Sequence, residues 1–139
     1  MSRFNKKQYL VTGGNSGIGF ATARRLVSEG AKVLVTGTNA EKLAVAAKEL
    51  GVETLVNDAG EPDAAAALGK EVEARLGTLD GAFLNAGFGR FQPLEQVSAD
   101  EFDAQYHVNV RGPLLQLQAI APHLRDGGDV PAARDLFLD

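Results

Sequence analysis

Thr12-Gly13-Gly14-Asn15-Ser16-Gly17-Ile18-Gly19 is the stretch from which the rest of the chain is read. A short apolar run, Gln8-Tyr9-Leu10-Val11, precedes it, and a helical stretch to Glu29 follows. Strand, glycine-rich turn and helix in succession is a phosphate-binding layout. Glycine lacks a Cβ, so such a turn reaches positive φ and lets a ligand approach the backbone. The first helical turn adds free N–H groups and the positive end of the helix dipole, which suit a pyrophosphate. The spacing is G-x-x-x-G-x-G rather than the commoner G-x-G-x-x-G fingerprint. From these residues alone, a turn that needs small residues only for packing reads the same way.

Outward from this turn the chain alternates regularly. Gln8–Thr12, Lys32–Thr36, Val52–Val56 and Leu79–Leu84 read as strands. Helices fill the gaps, and Gly30, Gly51 and Gly77 stop them, as C-terminal capping prefers. Asn39 is placed to cap the second helix, with Glu41 in its first turn, and Pro62 suits the start of the third. Leu43, Ala46, Ala47 and Leu50 give the second helix one apolar face. The strands are apolar runs without strict alternation, which predicts burial on both faces of a parallel sheet. Together these features predict an α/β fold, a doubly wound parallel sheet with right-handed crossovers. Beyond it, Ser98-Ala99-Asp100-Glu101 is a capping box that opens a long helix through Leu117. Pro113 inside that helix cannot bond the carbonyl of Asn109, so a kink there is expected to free that carbonyl.

Composition bounds the function. With 139 residues and 45% apolar content, the chain is long and apolar enough for one globular domain. The net charge of −4 and the lack of a basic run argue against nucleic acid or an anionic membrane as partner. There is no cysteine, hence no disulfide frame and no thiolate metal site. His107 and His123 have no metal-ligand neighbours at useful spacing. The basic start Met1–Lys7 is not followed by an apolar segment, and no stretch approaches membrane-spanning length, so a cytoplasmic location is expected.

Several landmarks together resemble the short-chain dehydrogenase/reductase family. These are Thr12-Gly-x-x-x-Gly-Ile-Gly, Asp58 just past the third strand, Asn85-Ala86-Gly87 after the fourth, and Asn109 in the long helix. They follow the family's order over roughly residues 8 to 128. The resemblance implies a Rossmann-like fold and hydride transfer between NAD(P) and a carbonyl or alcohol. It implies cofactor contacts at Gly13, Asn15, Ser16, Gly17, Ile18, Gly19, Thr38, Asp58, Ala59, Asn85, Ala86 and Gly87. It also implies a catalytic role for Asn109, whose main-chain carbonyl would hold a water in a proton relay, in agreement with the carbonyl that Pro113 frees. The resemblance also implies a homo-oligomer formed through the long helix.

Two features qualify the resemblance. The end of the second strand, Thr36-Gly37-Thr38-Asn39, carries no acid that would bond both ribose hydroxyls and repel a 2′-phosphate. Nor is there an arginine at Thr38, where many NADP-using relatives carry one; Lys42 is the nearest cation. The balance favours NADP over NAD on electrostatics. After Asn109 there is no serine, tyrosine or lysine, so the family's serine and Tyr-x-x-x-Lys are absent. The expectation is therefore an incomplete NAD(P)-binding domain over residues 1–128, truncated after about four strands. Residues 129–139 would be an atypical tail with Pro131 where a fifth strand should run. The fourth strand would then be a bare sheet edge. The alternative function is a non-catalytic nucleotide-binding or interaction module.

Overall fold

Leu10 and Val11 are neighbours in the chain, fully buried, and members of different cores. That follows from strand geometry, in which successive side chains point to opposite faces. Both lie on β1 (Gln8–Thr12), in the middle of a five-stranded parallel sheet. The other strands are β2 (Lys32–Gly37), β3 (Glu53–Val56), β4 (Leu79–Leu84) and β5 (Leu124–Asp129), in the spatial order β3-β2-β1-β4-β5. The helices are α1 (Gly17–Ser28), α2 (Ala40–Leu50), α3 (Pro62–Arg75), α4 (Ala99–Tyr106) and α5 (Gly112–Ile120). This computed structural model describes residues 2–130, the side chain of Asp129 excepted.

One face of the sheet packs on α1 and α2: Val11, Val33 and Val35 meet Ala23 and Leu43. The other packs on α3 and α5: Leu10, Leu34, Ala82 and Leu84 meet Leu68, Val72 and Ile120. Helices on both faces of a parallel sheet make the fold doubly wound, as the sequence predicts. The expected helix boundaries hold because their local signals do. Asn39 Oδ1 accepts from Lys42 N at 3.0 Å. Pro62 opens α3, and Gly30, Gly51 and Gly77 all adopt positive φ.

Three details depart from expectation. β3 is not buried on both faces; Val56 is 58% exposed, because this strand is the sheet edge. The long helix does not simply kink. A π-helical segment, His107–Arg111, separates α4 from α5, with the Gly112 N–H reaching back to the His107 carbonyl. Proline in the first turn of α5 has no N–H to give, and the wide turn ahead of it absorbs the break.

The third departure is a correction. The sheet is not truncated after four strands, and β4 is not its bare edge, because β5 pairs with β4 in parallel. The pairing is irregular, shifting register between Leu79↔Leu124 and Gly81↔Asp129. β5 consists of Leu124-Arg125-Asp126-Gly127-Gly128-Asp129, residues that read as a loop. Backbone N–H and C=O groups suffice for pairing, so apolar side chains are not required. Gly127 at φ +77° supplies the irregular turn. Arg125 ties the strand down through Asp80 at 2.8 Å. β5 runs through Asp129, past the expected end of the domain at 128. Pro131 and the rest of the expected tail to Asp139 lie outside the described residues.

Candidate functional site

Between β1 and β4 the winding of the sheet reverses direction, and the C-terminal ends of the strands open there into a cleft of about 490 Å³. Such a switch point is where open α/β sheets bind ligands. Two main-chain turns meet at its floor. The first is the glycine turn after β1. Gly13 has φ +62°, and a Cβ there would lie 3.0 Å from the Ala86 Cα. A Cβ on Gly19 would lie 2.3 Å from the Gly13 carbonyl oxygen. Only glycine fits either position, so α1 starts hard against the turn.

The second turn follows β4 and is laced to the first. Asn85 Nδ2 donates to the Gly13 carbonyl at 3.2 Å, and Ala86 N donates to the buried Thr12 hydroxyl at 3.0 Å. Ser16 stands at the N-cap of α1 in extended conformation, and its side chain makes no cap hydrogen bond. The first turn of α1 carries no acidic residue. Its N–H groups therefore keep their positive end of the dipole without a neighbouring carboxylate.

The loop after β3 forms the outer wall. Asn57 N donates to the Gly37 carbonyl at 2.9 Å, and Asn57 Nδ2 to the Ala64 carbonyl at 2.8 Å. Asp58 Oδ1 accepts from Gly60 N at 2.8 Å, closing a tight turn. Arg111 donates to the Gly60 carbonyl at 2.7 Å, and Gly112 abuts the Ala59 carbonyl, where a Cβ would lie 2.4 Å away. At the end of β2, the Asn15 amide lies over Gly37, 2.9 Å from where a Cβ would be. Thr38 is exposed beside it.

Of the residues singled out in the sequence, Gly13, Asn15, Ser16, Thr38, Asp58, Ala59, Asn85, Ala86 and Gly87 line this one cleft. Gly17, Ile18, Gly19 and Asn109 do not. Ile18 is 72% exposed on α1. The Asn109 side chain is spent elsewhere: Nδ2 donates to the Phe88 carbonyl at 2.6 Å, and Oδ1 accepts from Phe88 N at 2.9 Å. It clamps the loop after β4 onto the π-helical segment. Arg90 sits on the surface and pairs with Glu101 at 3.0 Å, which holds that carboxyl below its usual range. Among the described residues, no group of three or more His, Asp or Glu side chains is placed to hold a metal ion.

A family model for short chain dehydrogenases matches residues 7–130. The chain belongs to the short-chain dehydrogenase/reductase family. Levodione reductase of Leifsonia aquatica is 38% identical over 135 residues, covering 91% of this chain and 51% of that protein. Versicolorin reductase stcU of Emericella nidulans is 37% identical over 134 residues, covering 92% of this chain and 51% of that protein. The crystal structure of a short chain dehydrogenase from Burkholderia cenocepacia J2315, in complex with NADP, superposes with a TM-score of 0.86 at 35% identity. That match covers 94% of this chain and 56% of the other. The chain spans about half the length of the curated relatives it matches.

The short-chain dehydrogenase landmarks account for most of the cleft but not all of it. Thr36 and Gly37, at the strand end that bears on cofactor choice, also line it with Phe88 and Val108, as do Asn57 and Gln116, which were not singled out in the sequence. Val108 and Gln116 share one helical face with Gly112, recurring every four residues. A glutamine on the inward face of an apolar helix is the signal that points to Gln116. Asn57 flanks a landmark and carries no signal of its own. A second concavity of about 460 Å³, lined by Phe4, Tyr9, Phe83 and Arg125, lies against β1, β4 and β5 away from the glycine turn.

Proposed function

We propose that this chain supplies the dinucleotide half of an NADP-dependent oxidoreductase that moves hydride between nicotinamide and a carbonyl or alcohol. The observation that carries the reading is the glycine turn locked against the Asn85–Gly87 loop at the switch point. The residues present fit a dinucleotide. Gly13 and Gly19 leave backbone that a Cβ would obstruct, and the first turn of α1 offers donors with no acid nearby. Gly13, Ser16, Gly17, Ile18 and Gly19 would hold the pyrophosphate, and Asn15 and Thr38 the adenosine ribose. Asp58 and Ala59 would lie along the base, and Asn85, Ala86 and Gly87 along the nicotinamide side. The bound nicotinamide would accept or give the hydride.

NADP is preferred over NAD in this reading. No acid stands at Thr36–Asn39 to repel a 2′-phosphate, and the similar Burkholderia structure was solved with NADP. The Asn109 side chain clamps the loop beside the nicotinamide side, and its main-chain carbonyl would hold a water of the proton relay. Exposed Phe91, Leu94, Phe102, Tyr106 and Leu114 in and around α4 and α5 support self-association through that face. A cytoplasmic location belongs to the proposal; among the described residues no helix is long and apolar enough to cross a membrane.

The residues after Asn109 include no serine, tyrosine or lysine, so this chain carries no proton donor of the Tyr-x-x-x-Lys kind. That observation favours a second reading for the chain as it stands, a non-catalytic nucleotide-binding or interaction module within residues 1–128. The test is to mix the purified chain with NADPH and a panel of aldehydes and ketones, following nicotinamide absorbance and fluorescence. Bound NADPH with no consumption is expected. Sustained consumption would overturn the claim that the chain alone is inactive, and unchanged fluorescence together with no binding would overturn the dinucleotide reading.

A further inference from the structure

The second concavity, of about 460 Å³, shares no lining residue with the dinucleotide cleft. It is walled by α1, β5 and the N-terminal segment, over the α1 face of β1 and β4. Its body is aromatic and apolar, formed by Phe4, Tyr9, Leu26 and Phe83. Phe4 meets Tyr9 edge to face with ring centres 5.5 Å apart, and Phe4 N donates to the Glu29 carbonyl at 2.9 Å, so this wall is pre-formed. Lys7, Arg125 and Asp80 line the same space. Asp80 is a buried carboxylate, and its oxygens are taken: Oδ2 accepts from Gln8 N at 2.8 Å and Oδ1 from Arg125 at 2.8 Å. Lys7 Nζ approaches that same Oδ1 only to 3.6 Å, too far for a hydrogen bond. Two cations thus share one oxygen, and the ammonium keeps donors to give. Asp126 also lines the concavity but is exposed, where solvent screens its charge. Burial first, and the Asp80 charge second, push the Tyr9 phenol above its ordinary value, so it adds no further anion.

Size and charge together define the complement. A helix displaces on the order of 900 Å³ over two turns, well above this volume, whereas cavities of about 300–1,000 Å³ suit small molecules. We infer that the concavity binds an aromatic monocarboxylate, with its ring among Phe4, Tyr9 and Phe83 and its carboxylate on Lys7. That carboxylate gives Lys7 the charge-assisted hydrogen bond that Asp80, engaged by Arg125 and Gln8, does not supply. A neutral aromatic of the same shape fills the apolar body but leaves the ammonium as it is. A cationic one meets Lys7 and Arg125 in repulsion. The inference does not rest on the dinucleotide reading, since the two spaces are lined by different residues.

The test is calorimetric titration of the purified chain with 2-naphthoate and with the neutral 2-naphthylmethanol, for the wild type, Lys7→Met and Thr22→Trp. Thr22 lines the wall on α1, and its hydroxyl bonds within the helix, to the Ile18 carbonyl at 2.8 Å, so a larger side chain there fills the space while the fold is kept. The wild type is expected to bind naphthoate at one site, about tenfold tighter than the alcohol. Lys7→Met should bring the two ligands to within about threefold of each other, and Thr22→Trp should abolish binding of both with its melting transition retained. Saturating NADP should leave naphthoate affinity unchanged. No binding of naphthoate, equal affinity for acid and alcohol in the wild type, an unaltered ratio in Lys7→Met, or competition with NADP would each overturn the inference. So would self-association of the wild type that Thr22→Trp abolishes, which would give this face to a second copy of the chain. Failure of NADP to bind would overturn the dinucleotide reading and leave the naphthoate result to decide this one.

Discussion

Gly19 has no room for a methyl group, since an ideal Cβ would lie 2.3 Å from the Gly13 carbonyl oxygen and 2.6 Å from Asn85 Nδ2. Backbone cannot yield as a flexible side chain does, so Gly19→Ala should push α1 off the turn. The expected cost is about 1–3 kcal/mol of stability, read by urea unfolding, with loss of NADP binding. Unchanged stability and affinity would contradict the packing described. Thr38 sits beside the amide of Asn15 with no cation in the cleft lining. Thr38→Arg should therefore tighten NADP about tenfold relative to NAD, and Thr38→Asp should reverse the preference. Titration with both dinucleotides checks this, and equal responses would place the 2′-phosphate elsewhere. The residues at this scale that were legible in the sequence are those whose chemistry depends on being glycine, asparagine or aspartate in a turn. Gln116 and Asn57 were not read, because their significance is burial without a partner, which only the tertiary contacts reveal.

At the scale of elements, local signals carried far where the decisive interaction is local. Asn39 caps α2 through Lys42 N, and Asn39→Ala should cost about 1 kcal/mol in chemical denaturation, with dinucleotide affinity preserved. The break ahead of Pro113 was legible for the same reason, since a missing N–H is a property of one residue. Its form was not. The π-helical turn lets Asn109 reach Phe88 and lets Arg111 reach Gly60, two long-range bonds that no periodicity encodes. β5 shows the opposite failure. Asp126-Gly127-Gly128 has the composition of a loop, yet its backbone pairs with β4 while Arg125 grips Asp80 and Thr78. The exposure of β3 was missed because strand order, rather than composition, makes it an edge.

The whole molecule is held by two cores that share one sheet, and Leu10 lies at the centre of the one under α3 and α5. Leu10 is fully buried, and Leu10→Ala should cost about 2–5 kcal/mol in urea unfolding. A smaller loss would mean that the α3–α5 face repacks freely. The N-terminal segment is latched to the body through Glu29, whose buried carboxylate accepts from Arg3 and Arg25. Chiefly the Arg3 hydrogen bond lowers its pKa to about 2, from an ordinary value of 4.5. A depressed carboxyl stabilises the fold above its unfolded pKa and loses that contribution as pH falls through the folded one. The latch should therefore be fully present above pH 4.5 and disappear toward about 2. Glu29→Gln should flatten the pH dependence of stability across that window, and an unaltered slope would count against the latch. These features make a scaffold that sets the glycine turn against the Asn85 loop, and the central claim is that the resulting cleft takes a dinucleotide. The most direct measurement is calorimetric titration of the purified chain with NADP and with NAD. Saturable binding at one site, tighter for NADP and lost in Gly19→Ala, is the result predicted. A folded chain that binds neither dinucleotide would contradict it.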